Sequence, residues 1–273
     1  MNLPKQRQRS LRWMVGLFLS TGIFPGVLQA NYTDLSSWQQ QEPPISGNWV
    51  LSLDKKSVSQ IINGHPTSYV SPNRFINGVV RGNLEVYTTG DDDYIGFVFG
   101  YQSPIIGKND DSKNTFLLFD WKEGVHSPKD HGKEGFTLTR IRNLPVWSQD
   151  GGDGNCFWKH QHNPPSCDVL TTDHGSDKGW QRFTKYWFEL DYRTDRIIIK
   201  IGDSLTTLRT IFDVTGHFET GHFGFYNLSQ NYVRYSDFTV VENAPPSAKA
   251  DNYHFANRNQ PNVPAIKLLY AHK

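Results

Sequence analysis

The chain has 273 residues with 28 basic and 27 acidic side chains, and its charge is unevenly distributed. The first thirty residues hold four basic residues and no acidic one, so the remainder carries 24 basic against 27 acidic residues, a net charge of −3. A nucleic-acid-binding protein gains affinity from an excess of basic side chains, so this balance argues against that class. About 200 patterned residues suffice for one well-buried core.

Residues 1–30 have the layout of a secretory signal. A basic start from Lys5 to Arg12 is followed by an apolar run, Trp13–Leu28, and the segment closes on the small residue Ala30. The apolar run is short and interrupted by glycine and proline, unlike a membrane span. Cleavage after Ala30 is therefore predicted. The mature protein is expected to have no membrane span and to be secreted, or to reach the periplasm or cell surface in a Gram-negative cell.

The pattern after the signal predicts one all-β domain. Residues 31–47 are a polar, proline-bearing lead-in, and residues 48–242 alternate short apolar runs with Gly, Asn, Asp and Pro clusters. Strands are predicted at Phe75–Tyr87 and Tyr94–Tyr101, among others. Aromatic residues make up 14% of the chain, which suits the interior of a two-sheet sandwich. Residues 243–273 are predicted to be a flexible tail.

Three consecutive carboxylates, Asp91, Asp92 and Asp93, stand directly before a glycine-rich apolar strand. Three adjacent negative charges repel each other unless they are solvated or bind a cation. A hard cation such as Ca²⁺ takes several oxygen ligands at one point. The pattern therefore predicts calcium bound at a corner of the sheet.

A segment from Ser148 to Gly179 is rich in Gly, Asp, His and Pro and is predicted to be a long surface insertion. It contains both cysteines, Cys156 and Cys167, which in an oxidising compartment most simply form one disulfide. A metal site built from the two cysteines with His160 and His162 is the alternative. Its spacing is cramped, so the disulfide is favoured.

The strand around Glu189 and Asp191 raises the hypothesis of a glycoside hydrolase. Alternate acids on one strand face resemble the E-x-D-x-x-E signature of laminarinase-like sandwiches, but the sixth position is Thr194. Hydrolysis needs two carboxyl groups flanking the bond, and this spacing lacks the proton donor. An outward polar face with both acids solvated is the simpler interpretation.

The acidic turn and the strand after it, DDDYIGFVFGYQ from Asp91, closely resemble the C-terminal lectin-like domain of the thrombospondins. The resemblance continues in the same order over roughly residues 48–242. It is carried by Asn48–Val50, Val58–Asn63, Phe75–Val79, Thr115–Lys122, Gly179-Trp180, Tyr186–Phe188, Gly224-Phe225 and Ser229–Asn231.

The resemblance implies a concanavalin or legume-lectin-like jelly-roll sandwich of two antiparallel sheets. It also implies a secreted, calcium-associated, non-enzymatic protein, with Asp91, Asp92 and Asp93 as calcium-ligand candidates. The expected partner is an extracellular glycan or a surface or matrix protein; a structural envelope or matrix protein with no small ligand is a further alternative. The chain shows no counterpart of the EGF-like modules and calcium-binding repeats of animal thrombospondins, so a stand-alone member is expected.

Overall fold

A computed structural model describes most of the chain outside the predicted signal and tail. The predicted signal at 1–30, and all but the first two residues of the predicted tail at 243–273, lie outside the described residues. The described ranges are 32–41, 45–102, 114–124, 132–144 and 154–244. No helix in these ranges is long and apolar enough to span a membrane.

The described residues form fourteen β-strands and one helical turn. In chain order these are β1 Gln39–Gln40, β2 Trp49–Leu51, β3 Ser57–Gln60, β4 Thr67–Phe75, β5 Gly78–Val86, β6 Tyr94–Tyr101, β7 Asn114–Lys122, β8 Gly135–Leu144, α1 Gly154–Phe157, β9 Cys167–His174, β10 Lys185–Tyr192, β11 Arg196–Gly202, β12 Arg209–Thr215, β13 Gly221–Leu228 and β14 Val233–Glu242.

The strands form two antiparallel sheets of seven strands each. Sheet A has the order β1-β4-β13-β6-β7-β8-β9, and sheet B has the order β12-β11-β10-β5-β14-β3-β2. Strands far apart in sequence are neighbours, as in the pairs β4–β13 and β5–β14. This confirms the predicted lectin-like sandwich of two antiparallel sheets.

Aromatic rings fill the space between the sheets. Phe97 of β6 is fully buried at the centre, with its ring 4.7 Å from Phe119 of sheet A and 5.0 Å from Phe188 of sheet B. Phe223 of β13 lies 5.5 Å from the same ring. Each such side chain contributes roughly 1.5–3 kcal/mol by burial. The high aromatic content of the sequence is therefore used mainly in this core.

A second apolar cluster covers the outer face of sheet A. Val98 and Leu118, which point away from the first core, pack in this cluster with Cys156 and Phe157 from the segment after β8. Every residue of β6 is consequently buried. Burial on both faces explains why this strand is continuously apolar rather than alternating.

The prediction of one strand over Phe75–Tyr87 is wrong. β4 ends at Phe75 in sheet A, and β5 begins at Gly78 in sheet B. Asn77 between them has a φ of +57°, in the left-handed region that asparagine adopts more readily than most residues. The Asn77-Gly78 pair is a turn signal, and here it carries the chain from one sheet to the other.

The prediction of an irregular insertion from Ser148 to Gly179 is wrong for its second half. Cys167–His174 form β9, which pairs with β8 at the edge of sheet A. The strand is rich in Thr, Asp and His, and most of its residues are only partly buried. An edge strand needs little apolar alternation, so hydrophobic periodicity does not reveal it.

Candidate functional site: an acidic corner

The three predicted aspartates meet at one corner of the sandwich. They end the connection between β5 and β6, and Asp91 and Asp93 are 8% and 3% exposed. One oxygen from each of Asp91, Asp92 and Asp93 lies within 4.8 Å of the other two. Within the described residues, this is the one group of three or more side chains close enough to hold a metal ion. Carboxylates this close and this buried require positive charge nearby.

Lys122 provides one positive charge inside the corner. It ends β7, is fully buried, and pairs across the sheet with Tyr94, the residue that follows the three aspartates. Its Nζ lies 2.7 Å from Oδ1 of Asp93 and 3.1 Å from Oδ1 of Asp92. The rings of Tyr94 and Trp158 lie 5.6 and 5.5 Å from the same ammonium. Lys122 is thus a buried ammonium in direct contact with two of the three carboxylates.

Burial and hydrogen bonds shift the pKa values of Asp93 and Lys122 in this corner. Burial raises the pKa of Asp93 to about 6; the hydrogen bond and charge of Lys122 oppose the rise, and the charge of Asp91 adds to it. Burial acts to lower the pKa of Lys122, but hydrogen bonds to Asp93 and Asp92 outweigh it and raise the pKa. The lysine is therefore charged, and it stabilises the ionised form of the carboxylates beside it.

Three distant segments hold the acidic turn in place. The side-chain amide of Asn63 donates a hydrogen bond to Oδ2 of Asp91. The backbone N–H of Asp93 donates to the Gln230 side chain at 2.9 Å, and the indole N–H of Trp180 donates to the Asp93 carbonyl at 3.0 Å. The turn is therefore fixed by residues before β4, before β10 and after β13.

The predicted disulfide between Cys156 and Cys167 is present, and both residues are buried. The alternative metal site with His160 and His162 is wrong, because both sulfurs are used in the bond. His160 instead forms a buried pair with Asp120, with Nε2 2.8 Å from Oδ2.

The two acids of the hydrolase hypothesis are held in ion pairs. Glu189 accepts hydrogen bonds from Arg81 at 2.7 Å and Lys200 at 2.8 Å, and Arg193 donates to Asp191 at 2.5 Å. Burial acts to raise the pKa of Glu189, but the bonds from Lys200 and Arg81 outweigh it and lower the pKa. A carboxyl group that gives up its proton so readily is poorly suited to act as the general acid. The geometry gives the hydrolase hypothesis no support.

Sequence reasoning missed the partners of the acidic turn. Lys122, Trp180 and Gln230 lie far from Asp91–Asp93 in the chain, and a lysine is rarely placed in a core by its type alone. All three lie in the stretches that carry the thrombospondin resemblance. That coincidence is the sequence signal that links them to the acidic turn.

The sandwich of two seven-stranded antiparallel sheets defines a lectin-like domain, which supports a non-catalytic binding role. The family model described as the thrombospondin C-terminal region matches residues 44–243. The chain therefore belongs to the thrombospondin C-terminal region family, as the sequence resemblance predicts.

Several thrombospondins are similar to this chain over most of its length. Thrombospondin-2 of Gallus gallus is 29% identical over 203 residues, and thrombospondin-1 of Xenopus laevis is 30% identical over 205 residues. Each match covers 71% of this chain but only 16% of the relative. The chain thus corresponds to one part of those proteins.

Several solved structures are similar to this chain at low sequence identity. The carbohydrate-binding module CBM66 from Bacillus subtilis is 11% identical with a TM-score of 0.47, over 77% of this chain and 99% of that one. The mannose- and Ca²⁺-bound VIP36 exoplasmic/lumenal domain is 13% identical with a TM-score of 0.47, over 78% and 86% of the two chains.

Proposed function

We propose that this protein is a secreted, calcium-binding, lectin-like module that recognises an extracellular glycan or protein and performs no catalysis. The observation that carries the proposal is the acidic corner. Its three buried or half-buried carboxylates have oxygens within 4.8 Å of one another, close enough to bind one ion together. Carboxylate oxygens gathered at one point are the ligands that Ca²⁺ prefers.

The donor set fits calcium chemically. Lys122 donates hydrogen bonds to Oδ1 of Asp92 and Oδ1 of Asp93. Calcium would therefore be held by the Asp91 carboxylate and by the remaining carboxylate oxygens of Asp92 and Asp93. Calcium would add positive charge where three carboxylates lie close together. Asn63 then orients Asp91, and Trp180 keeps the main chain of Asp93 in place.

Secretion is supported by two features of different kinds. The first thirty residues have the composition of a cleavable signal. The Cys156–Cys167 disulfide is a bond that persists in oxidising compartments. Adhesion or matrix contact is the biological role consistent with both and with membership of the thrombospondin family.

Calorimetric titration with calcium tests the proposal. The full chain is expressed, and the exported protein is purified and freed of bound metal with a chelator. Its N-terminus is sequenced and is expected to begin at Asn31. The wild type is expected to bind calcium, and Asp92→Asn and Asp93→Asn are each expected to weaken binding about tenfold or more, because each removes a charged ligand.

Asp195→Asn is the matched control, because Asp195 is an exposed carboxylate in the turn between β10 and β11. It is expected to bind calcium like the wild type. No heat of binding by the wild type, or equal affinity in all four proteins, contradicts the proposed site.

A further inference from the structure

A cleft of about 310 Å³ opens between the two sheets beside the acidic corner. Its floor is aromatic and aliphatic. Trp121 and Phe136 of sheet A are stacked with ring centroids 4.6 Å apart, and Tyr186 of sheet B meets Trp121 edge-on at 4.7 Å. Ile201 and Ile211 complete the apolar lining. A concave apolar surface of this size is where a small ligand group can be desolvated.

Polar side chains from two connections form the rim of this cleft. Asp177 and Gln181 lie between β9 and β10, and Asp203 and Thr207 lie between β11 and β12, with Arg209 at the start of β12. All five are exposed. A few convergent polar groups around an apolar floor fix the orientation of a ligand.

The charges of the rim indicate the chemical class of the ligand. The lining residues include two carboxylates, Asp177 and Asp203, and two cations, Lys178 and Arg209, so neither sign dominates. A phosphate, sulfate or ammonium group would meet like charge at close range. A neutral ring can pack its apolar face against the floor. Its hydroxyl groups can donate hydrogen bonds to the carboxylates of the cleft and accept them from the cations. A pyranose sugar has this chemistry.

One wall of the cleft is attached to the acidic corner. The indole N–H of Trp121 donates to the carbonyl of Lys178 at 2.6 Å, and Trp180, two residues further on, donates to the carbonyl of Asp93 at 3.0 Å. Trp121 also precedes Lys122, whose ammonium holds the carboxylates. Lys178 and Trp180 lie in one connection, so this wall of the cleft is linked through the main chain to the acidic turn.

We infer that the cleft is the ligand site of this domain and that it takes the neutral terminal sugar of an extracellular glycan. The sugar ring lies against Tyr186 and Ile211, the partly exposed residues of the floor, with Asp203 accepting from its hydroxyl groups and Arg209 donating to them. This inference rests on the proposed function, because it names where and what that binding module recognises.

Binding to a defined set of sugars tests the inference. Immobilised oligosaccharides ending in glucose, galactose, mannose or N-acetylglucosamine are compared with sialylated and sulfated counterparts, in the presence of calcium. Affinities for the strongest neutral probe are then measured by calorimetry. Asp203→Ala and Arg209→Ala are each expected to weaken binding about tenfold or more, because each removes a polar contact from an exposed rim position.

Phe183→Ala is the matched control, because Phe183 is an exposed aromatic residue just before β10 that does not line the cleft. It is expected to leave sugar affinity within about twofold of the wild type. Equal losses in all three variants, or no loss in Asp203→Ala and Arg209→Ala, overturn the cleft as the site. Binding only of the anionic probes, or of no probe, overturns the ligand class.

Calcium titration of the same preparations separates the two proposals. If calcium binds as expected and the sugar results fail, the cleft assignment is wrong and the calcium-binding module stands. If the wild type binds no calcium, the proposed function itself fails, whatever the sugar results show.

Discussion

Gly90 and Gly96, two glycines near the acidic turn, differ in how much space surrounds them. A Cβ atom on Gly96 of β6 would lie 2.0 Å from the carbonyl oxygen of Phe119 and 3.0 Å from the Cα of Asp120. A Cβ atom on Gly90 would meet only the Thr88 hydroxyl at 3.5 Å. Neither glycine needs a left-handed backbone, so close approach of β7 is what requires glycine at position 96.

Gly96→Ala is therefore expected to destabilise the domain, by about 3 kcal/mol, because a methyl group would push against backbone that cannot yield locally. Gly90→Ala is expected to change the free energy of unfolding by no more than about 0.5 kcal/mol. Urea unfolding followed by tryptophan fluorescence measures both. Similar unfolding midpoints for the two variants would show that the β6–β7 contact does not require glycine.

The acidic residues were accessible from the sequence, whereas their partners were not. Asp91–Asp93 are adjacent in the chain, so their mutual repulsion and need for a cation follow from the sequence alone. Lys122 reaches them only through the register of β6 against β7, and Trp180 only through the connection before β10. Register depends on long-range packing, which local patterns do not specify.

The segment from α1 to the start of β9 covers the outer face of sheet A. Phe157 is fully buried with residues of β6 and β7, and the Cys156–Cys167 disulfide closes the segment. The buried pair of His160 and Asp120 ties the same segment to β7. This cover explains how a sheet with two apolar faces remains shielded from water.

The double variant Cys156→Ser/Cys167→Ser is expected to lose about 2–3 kcal/mol of unfolding free energy, because the disulfide restrains a short loop in the unfolded chain. Chemical unfolding with and without dithiothreitol measures this. The reductant should lower the stability of the wild type to that of the double variant and leave the variant unchanged. A wild type insensitive to full reduction would contradict a stabilising role for the cover's disulfide.

The sequence predicts a strand well where one face or both faces of that strand are buried. β6 was predicted over its observed length because a strand buried on both faces is continuously apolar. β9 was missed because an edge strand tolerates polar residues, and the β4–β5 boundary was missed because the apolar pattern runs through Ile76. The disulfide was predictable from two cysteines and an exported context.

Across the whole domain, the acidic corner connects both sheets. Asp93 is bonded through Lys122 to β7 of sheet A, through Gln230 to the segment before β14, and through Trp180 to the segment before β10 of sheet B. The charge of three neighbouring carboxylates at this position acts on contacts on both sides of the sandwich. Neutralising it by calcium is expected to stabilise the domain as a unit rather than one loop.

Calcium is therefore expected to raise the melting temperature. A ligand at 100 times its dissociation constant adds about 2.7 kcal/mol to stability. For a domain of this size that corresponds to a rise of about 5–10 °C. Differential scanning calorimetry in chelator and in excess calcium measures the shift. Each variant is compared with its own calcium-free form, so any destabilisation by the substitution itself cancels.

Asp93→Asn is expected to lose most of this calcium-dependent shift, because the buried corner then holds one negative charge fewer and one ligand fewer. Asp195→Asn is expected to keep the whole shift, since its carboxylate is exposed and lies in a turn at another position in sheet B. If both variants keep the wild-type shift, calcium stabilises the protein from another place and Asp93 is not part of its site. If both lose it equally, the effect is one of net charge rather than of a specific corner, since either substitution removes one negative charge.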